Sequence, residues 1–268
     1  MIKFFLIWQY SNVFMQRINW QLKRIKGESK TMALPQNITR LLPATDGSQS
    51  AEKPIPTHEV VYRQLRDLIL FGEIAPGQAV TIQGLTEKLG AGMTPVREAI
   101  RRLIAEGALD FQGNRRVCVP QLSPSNIDEL IFMRKALDPE LARLATLRCS
   151  QKDIDELEVI DRALDAAIIK GDVRIYLERN YEFHSAIYSL ANAPVLASIA
   201  DGLWLRFGPS LRVVCGRVGT QNVPDRHKDA IAAMRRQDAD AVSHAIHEDV
   251  VQGMEVVRQS LSDSLTVN

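Results

Sequence analysis

Between Thr57 and Leu109 apolar residues recur at helical spacing in three short runs, and the pattern then changes. In THEVVYRQLRDLILFG the apolar positions Val60, Val61, Leu65, Leu68 and Ile69 mark one buried helical face, which ends at Gly72. Pro76-Gly77 in EIAPGQAV reads as a turn, and TIQGLTEKLGAG as a short helix closed by Gly90 and Gly92. In TPVREAIRRLIAEGAL the apolar set is Val96, Ala99, Ile100, Leu103 and Ile104, with Thr94 expected as N-cap and Pro95 at the first helical position. ALDFQ and RVCVP, separated by GNR, read as two short strands. This order predicts a winged helix-turn-helix over residues 57–122, a fold whose third helix enters the DNA major groove.

Beyond it the period is helical throughout. The first helix covers LSPSNIDELIFMRKALDPELARLATLRC, where Pro139 is expected to bend it near its middle. Further helices are expected at 150–170, 172–190, 194–207, 225–236 and 238–262, with turns at KGD, NAP, FGP and RQDAD. The fold class is therefore mainly α, an N-terminal winged helix-turn-helix plus a C-terminal all-helical bundle over residues 123–262.

The opening MIKFFLIWQYSNVFM is apolar but short, broken by Gln9, Ser11 and Asn12 and followed by no small-residue cleavage site. It falls short of the roughly 20 apolar residues of a membrane span and makes a poor signal peptide. Residues 27–56 are rich in Gly, Ser, Thr and Pro. We expect residues 1–56 to be a disordered arm or mis-called extension, with translation starting at Met32. The 268 residues suffice for two domains, and a formal net charge of +1 means that any basic surface must be a local cluster. Cys118, Cys149 and Cys215 match no zinc or redox spacing, as expected of idle thiols in a reducing cytoplasm.

Two sets of residues do not serve the core pattern. Arg97, Arg101 and Arg102 lie opposite the apolar stripe of the third helix, and Arg115 and Arg116 fall at the hairpin tip. On an ordinary helix such arginines only keep a face in water. On this helix and wing they can neutralise phosphates or read guanine through a bidentate fork. The second set is polar residues on apolar stripes of the later helices. Asn180 and His184 follow Leu177 by three and seven residues, His227 precedes Ile231 by four, and Asp249 follows Ile246 by three. An unpaired polar group in a bundle interior is costly, so these residues either satisfy one another or hold a divalent ion such as Zn, Ni, Mn or Fe. His244 and His247 point to other faces. Arg134 also points inward, where it either pairs with Asp138 one turn on or anchors a carboxylate ligand.

VYRQLRDLILFGEIAPGQAV, LTEKLG, TPVREAIRRLIAEGAL and NRRVCVPQLS together resemble the DNA-binding domain of the GntR family of bacterial transcription regulators. The resemblance implies DNA contacts from Thr94 and Arg97 at the start of the reading helix. Two departures bear on the operator: Gly92 and Met93 stand where Ser or Thr and then Arg are usual, and Arg116 replaces a wing glycine. FMRKALDPELARLAT, NYEFHSAIY and HKDAIAAMRRQDADAV resemble the helical effector domain of the FadR-like, FCD type. That resemblance implies a homodimer, a small organic or sugar acid as effector near Arg134, and a divalent metal held by an Asp and three His. Here those positions are Asn180, His184, His227 and Asp249, so both flanking ligands have changed type. The expectation is a ligand-responsive DNA-binding protein without catalytic activity. A metal-free domain taking a larger apolar acid such as an acyl thioester is one alternative. An Fe(II) enzyme built on His184, His227 and Asp249 is the other.

Overall fold

In a computed structural model the described residues are 57–112, 116–222 and 225–266, with side chains described to residue 260. The expected N-terminal arm (1–56) and Arg115 lie outside them. The chain order is α1 (Thr57–Leu70), β1 (Ala79–Val80), α2 (Ile82–Leu89), α3 (Met93–Ala105), β2 (Asp110–Gln112) and β3 (Arg116–Cys118). Then follow α4 (Pro124–Thr146), α5 (Gln151–Lys170), α6 (Val173–Leu190), α7 (Pro194–Val218), a 3-10 turn (Thr220–Asn222), α8 (His227–Arg235) and α9 (Ala239–Thr266).

The first six elements form a three-helix head with a small sheet. Leu65 and Ile69 of α1 and Val96 and Leu103 of α3 are fully buried, which joins the two helices along their apolar stripes. A buried Leu or Ile contributes about 1.5–3 kcal/mol, so a few such contacts hold a small domain. The sheet order is β1-β3-β2, antiparallel, with Ala79 opposite Cys118 and Phe111 opposite Val117. Ala79–Val80, expected as part of a turn, is thus a third strand. A run of two residues carries no alternation to detect.

Two expected boundaries also move. Gly92, not Thr94, caps α3, and it makes no side-chain cap bond. Thr94 and Pro95 sit inside the first turn, where a missing proline N–H costs nothing because that donor has no helical partner. The helix expected to stop at FGP continues through Pro209 to Val218. Gly208 explains the sequence there: a Cβ on it would lie 2.3 Å from the Leu70 carbonyl oxygen, so the glycine admits the C-terminal end of α1. α4 likewise runs as one helix through Pro139, opened by a Ser123–Asn126 capping box.

In the helical part α9 packs chiefly along α4, and α6 is flanked by α5, α4 and α7. Ile127, Leu141, Leu164, Phe183, Phe207, Val250 and Val257 are buried at their contacts. The head docks on this part through α1 against α7. Arg66 of α1 donates to Asp201 Oδ2 at 2.5 Å and to the Tyr181 hydroxyl at 3.3 Å, and Phe71 meets the Tyr181 ring edge-on. No helix among the described residues is long and apolar enough to cross a membrane.

Candidate functional sites

The exposed face of α3 separates the three arginines by what each touches. Arg97 is exposed and makes no ion pair or side-chain hydrogen bond with the described residues. Arg101 meets only Glu98, at 3.5 Å, with both side chains largely in solvent. Arg102 is engaged elsewhere: it reaches Glu59 at 3.0 Å and Glu106 at 3.1 Å, and its guanidinium lies 3.5 Å from the centre of the Tyr62 ring. That geometry gives Arg102 a role in holding α3 to α1, a role the helical pattern could not reveal because its partners come from outside the helix. Thr94, Met93 and Arg116 are exposed.

The second constellation lies in the helical part, where α6, α8 and α9 meet. Successive turns of α6 carry Tyr176, Asn180 and His184 on one face. His227 opens α8, and Asp249 projects from α9. His184 Nε2 is 3.1 Å from Asp249 Oδ2, and His227 Nε2 is 3.7 Å from Asp249 Oδ1. The same Oδ1 accepts the Arg226 backbone N–H at 2.9 Å. All three side chains are buried, and one donor atom from each lies within 4.8 Å of the others. Both nitrogens of His227 and Nδ1 of His184 are buried without a hydrogen-bond partner. Buried polar atoms are rarely left so.

Electrostatics differ between the two rings. Burial holds the His184 imidazole below its usual pKa, outweighing the pull of Asp249. Burial would lower His227 as well, but Asp161, Asp249 and Asp225 reverse it and raise that ring. The Asp249 carboxyl is opposed by burial yet pulled far below the carboxylate range by His184, His227 and the Arg226 N–H. Asp161 of α5 stands 3.3 Å from His227 Nδ1, on the side away from Asp249. A carboxylate behind an imidazole is the usual partner of a metal-bound histidine, where it fixes the tautomer and the ring orientation. Asp161 was missed from the sequence. Its spacing from Leu157 and Leu164 is the same polar misfit on an apolar stripe that marked the others.

Through His184 and Asp249 the cluster opens into a small cleft also lined by Arg134, Asn180 and Trp204. Arg134 makes the pair with Asp138 expected of it, giving Nε and Nη2 to Oδ2 at 2.9 and 2.6 Å, both groups buried. Its guanidinium also lies over the rings of Trp204 and Phe207, 4.7 and 4.6 Å from their centres. Arg134 thus pairs with Asp138 and also lines the cleft. His244 is exposed, and half-buried His247 pairs with Glu248, so neither joins the cluster.

Comparison with known proteins matches this two-part architecture. The model of the family described as bacterial regulatory proteins, gntR family, matches residues 57–119, and that of the FCD domain matches residues 129–251. This chain belongs to the GntR family and carries an FCD domain.

The HTH-type transcriptional regulator McbR of Escherichia coli is 28% identical over 74% of the chain and 91% of its own length. A probable D-xylose utilization operon transcriptional repressor of Paenarthrobacter nicotinovorans is 25% identical over 72% of the chain and 87% of its own. Among solved structures, that of E. coli McbR/YncC superposes with a TM-score of 0.73 at 27% identity, over 77% of the chain and 99% of that protein. A putative GntR regulator from a Rhodococcus species shares the fold at a TM-score of 0.62 and 20% identity, covering 75% and 96%. The chain is accordingly a transcriptional regulator of the GntR/FCD type and not an enzyme.

Proposed function

We propose that this GntR/FCD regulator binds an operator through α3 and the wing as a homodimer, and that a small carboxylate bound beside a divalent metal in the FCD cleft controls that binding. His184, His227 and Asp249 would hold the ion, with Asn180 at the cleft wall as a weaker donor and Asp161 orienting His227. Two imidazoles and a carboxylate suit Zn, Ni, Mn or Fe(II). Such an ion polarises and orients the oxygen atoms of a bound acid. Thr94, Arg97, Arg101 and Arg116 would face DNA, with Arg97 reading base edges and Arg116 neutralising phosphate; Arg115, outside the described residues, is expected from the sequence to add to the latter.

The observation that carries the reading is the buried triad, in which His184 Nδ1 and His227 Nε2 have no hydrogen-bond partner while His184 and Asp249 face the same cleft as Arg134. Charge supports it. The Arg134 charge is matched by Asp138, and Asp225 and Asp249 add two carboxylates at the cleft. Even with His227 protonated, negative groups outnumber positive ones, so an anion entering alone is repelled. A divalent ion reverses that sign. The compact cleft also disfavours an acyl thioester, which needs a long apolar channel.

The test uses an operator selected from random duplex DNA and fluorescence anisotropy at fixed salt. Chelated and zinc-reloaded protein are each titrated with a panel of small carboxylates. The expected result is that at least one acid shifts operator affinity of the reloaded protein alone. An equal response from chelated protein would overturn the metal-assisted reading.

A further inference from the structure

The cleft has two unlike ends, and that polarity identifies a class of acid. The lining holds a polar set, Asn180, His184, Asp225, Asp249 and Arg134 with the Tyr176 hydroxyl, and an aliphatic set, Leu211, Met254 and Val257. Two helices make the gradient. Along α9, Asp249, Gly253 and Val257 recur one turn apart on a single face, so the run from carboxylate to valine spans about 12 Å. Along α7, Trp204 lies next to the polar end, its ring 5.2 Å from His184, while Phe207 and Leu211 carry the wall toward the apolar end.

Gly253 supplies an independent observation. A helix interior disfavours glycine because of its backbone freedom, and no unusual backbone angle calls for one here. A Cβ built on Gly253 meets no atom of another element within 4 Å, so its place in the cleft wall is open space. The missing side chain widens the cleft between the anionic triad and Val257.

Resting on the reading of this cleft as a metal-assisted carboxylate site, the geometry points to an acid with a compact, flat or branched apolar body, and against polyhydroxy acids. The carboxylate sits at the ion and Arg134. The body lies along Trp204 and Phe207 and fills the space left by Gly253. A ring or branched alkyl group sheds its water there at no polar cost. The hydroxyls of a sugar acid, laid against Leu211, Met254 and Val257, would lose water to side chains that offer no hydrogen bond.

The experiment is calorimetric titration of zinc-loaded full-length protein with phenylacetate and with D-gluconate, on wild type and Gly253→Leu. We expect phenylacetate to bind wild type at least tenfold more tightly than gluconate. Gly253→Leu should weaken phenylacetate at least tenfold while keeping the wild-type zinc content and melting temperature. Gluconate binding as tightly or more tightly, or a Gly253→Leu protein binding phenylacetate like wild type, overturns this ligand class and leaves the metal-assisted carboxylate reading standing. Failure of both acids to bind the zinc-loaded protein also overturns this ligand class, and the carboxylate panel then decides the metal-assisted reading by itself. The wild-type comparison needs no variant, so it decides the question even if Gly253→Leu does not fold.

Discussion

Arg66→Met is the substitution that asks whether the effector cleft and the DNA-binding head communicate through their packed contact. Arg66 reaches from α1 to Asp201 and Tyr181, with its own side chain 12% exposed and that of Asp201 39% exposed. Tyr181 also hydrogen-bonds Asp201, and its hydroxyl is pushed up to about 12, first by burial. The Tyr181 ring meets Trp204 edge-on at 5.5 Å, and Trp204 in turn lies beside His184 and beneath Arg134. One aromatic residue thus separates the clasp from the cleft. Methionine keeps the apolar stem and deletes the fork. Hydrogen bonds to charged groups contribute about 1.5–3 kcal/mol, but Asp201 is partly in water, and screening reduces the value of such a pair. A loss of about 1–2 kcal/mol follows from those two limits. For a chain of this size that lowers Tm by roughly 3–6 °C. Thermal melts by circular dichroism give the first number, and anisotropy with and without an active carboxylate gives the second. Operator affinity without ligand should stay near wild type, since Arg66 is far in sequence and role from the reading face, whereas the ligand-induced shift should shrink severalfold. A variant with wild-type Tm and a full ligand-induced shift would refute the clasp as the coupling element.

Other substitutions separate the remaining roles. Arg97→Ala should weaken operator binding by about 1–3 kcal/mol without changing Tm; wild-type affinity would show that α3 does not read bases through it. Arg116→Ala should weaken all duplexes alike and reduce the slope of affinity against salt by roughly one phosphate contact, which a salt titration measures directly. Met93→Arg should add affinity and shift selection from random DNA toward guanine at one position in each half-site; an unchanged profile would place residue 93 away from the bases. Asp161→Asn should lower metal affinity by about 10–100-fold, read by competition with a chromophoric chelator, and unchanged affinity would deny Asp161 its orienting role. Arg134→Ala should keep the metal yet weaken the acid, as calorimetry on zinc-loaded protein would show.

Much of the architecture was legible because local periodicity and caps dictate it. The stripes of α1 and α3, the punctuating glycines and the Ser123 cap each act within a few residues. What escaped depends on contacts between distant segments. β1 exists because β3 pairs with it, and α7 runs on past Pro209 at the point where Gly208 packs against Leu70 of α1. The triad was legible for a related reason: His184, His227 and Asp249 break apolar stripes that local pattern defines. The partners of Arg102 were not legible, because a helical pattern reports only that a face is exposed, whereas Glu59 and Tyr62 come from α1. Arg66 carried no mark at all, since its partners lie on α6 and α7. The open space beside Gly253 is likewise set by packing between helices, which no local pattern reports.

The central claim is that the FCD cluster is a metal centre, and metal quantitation by plasma mass spectrometry tests it most directly. Protein purified without chelators should carry close to one divalent ion per chain. The His184→Ala, His227→Ala double variant should carry none, yet bind operator as wild type does, because the reading residues lie in the separate head. A metal-free wild type, or a double variant holding the ion as well as wild type, would contradict the account.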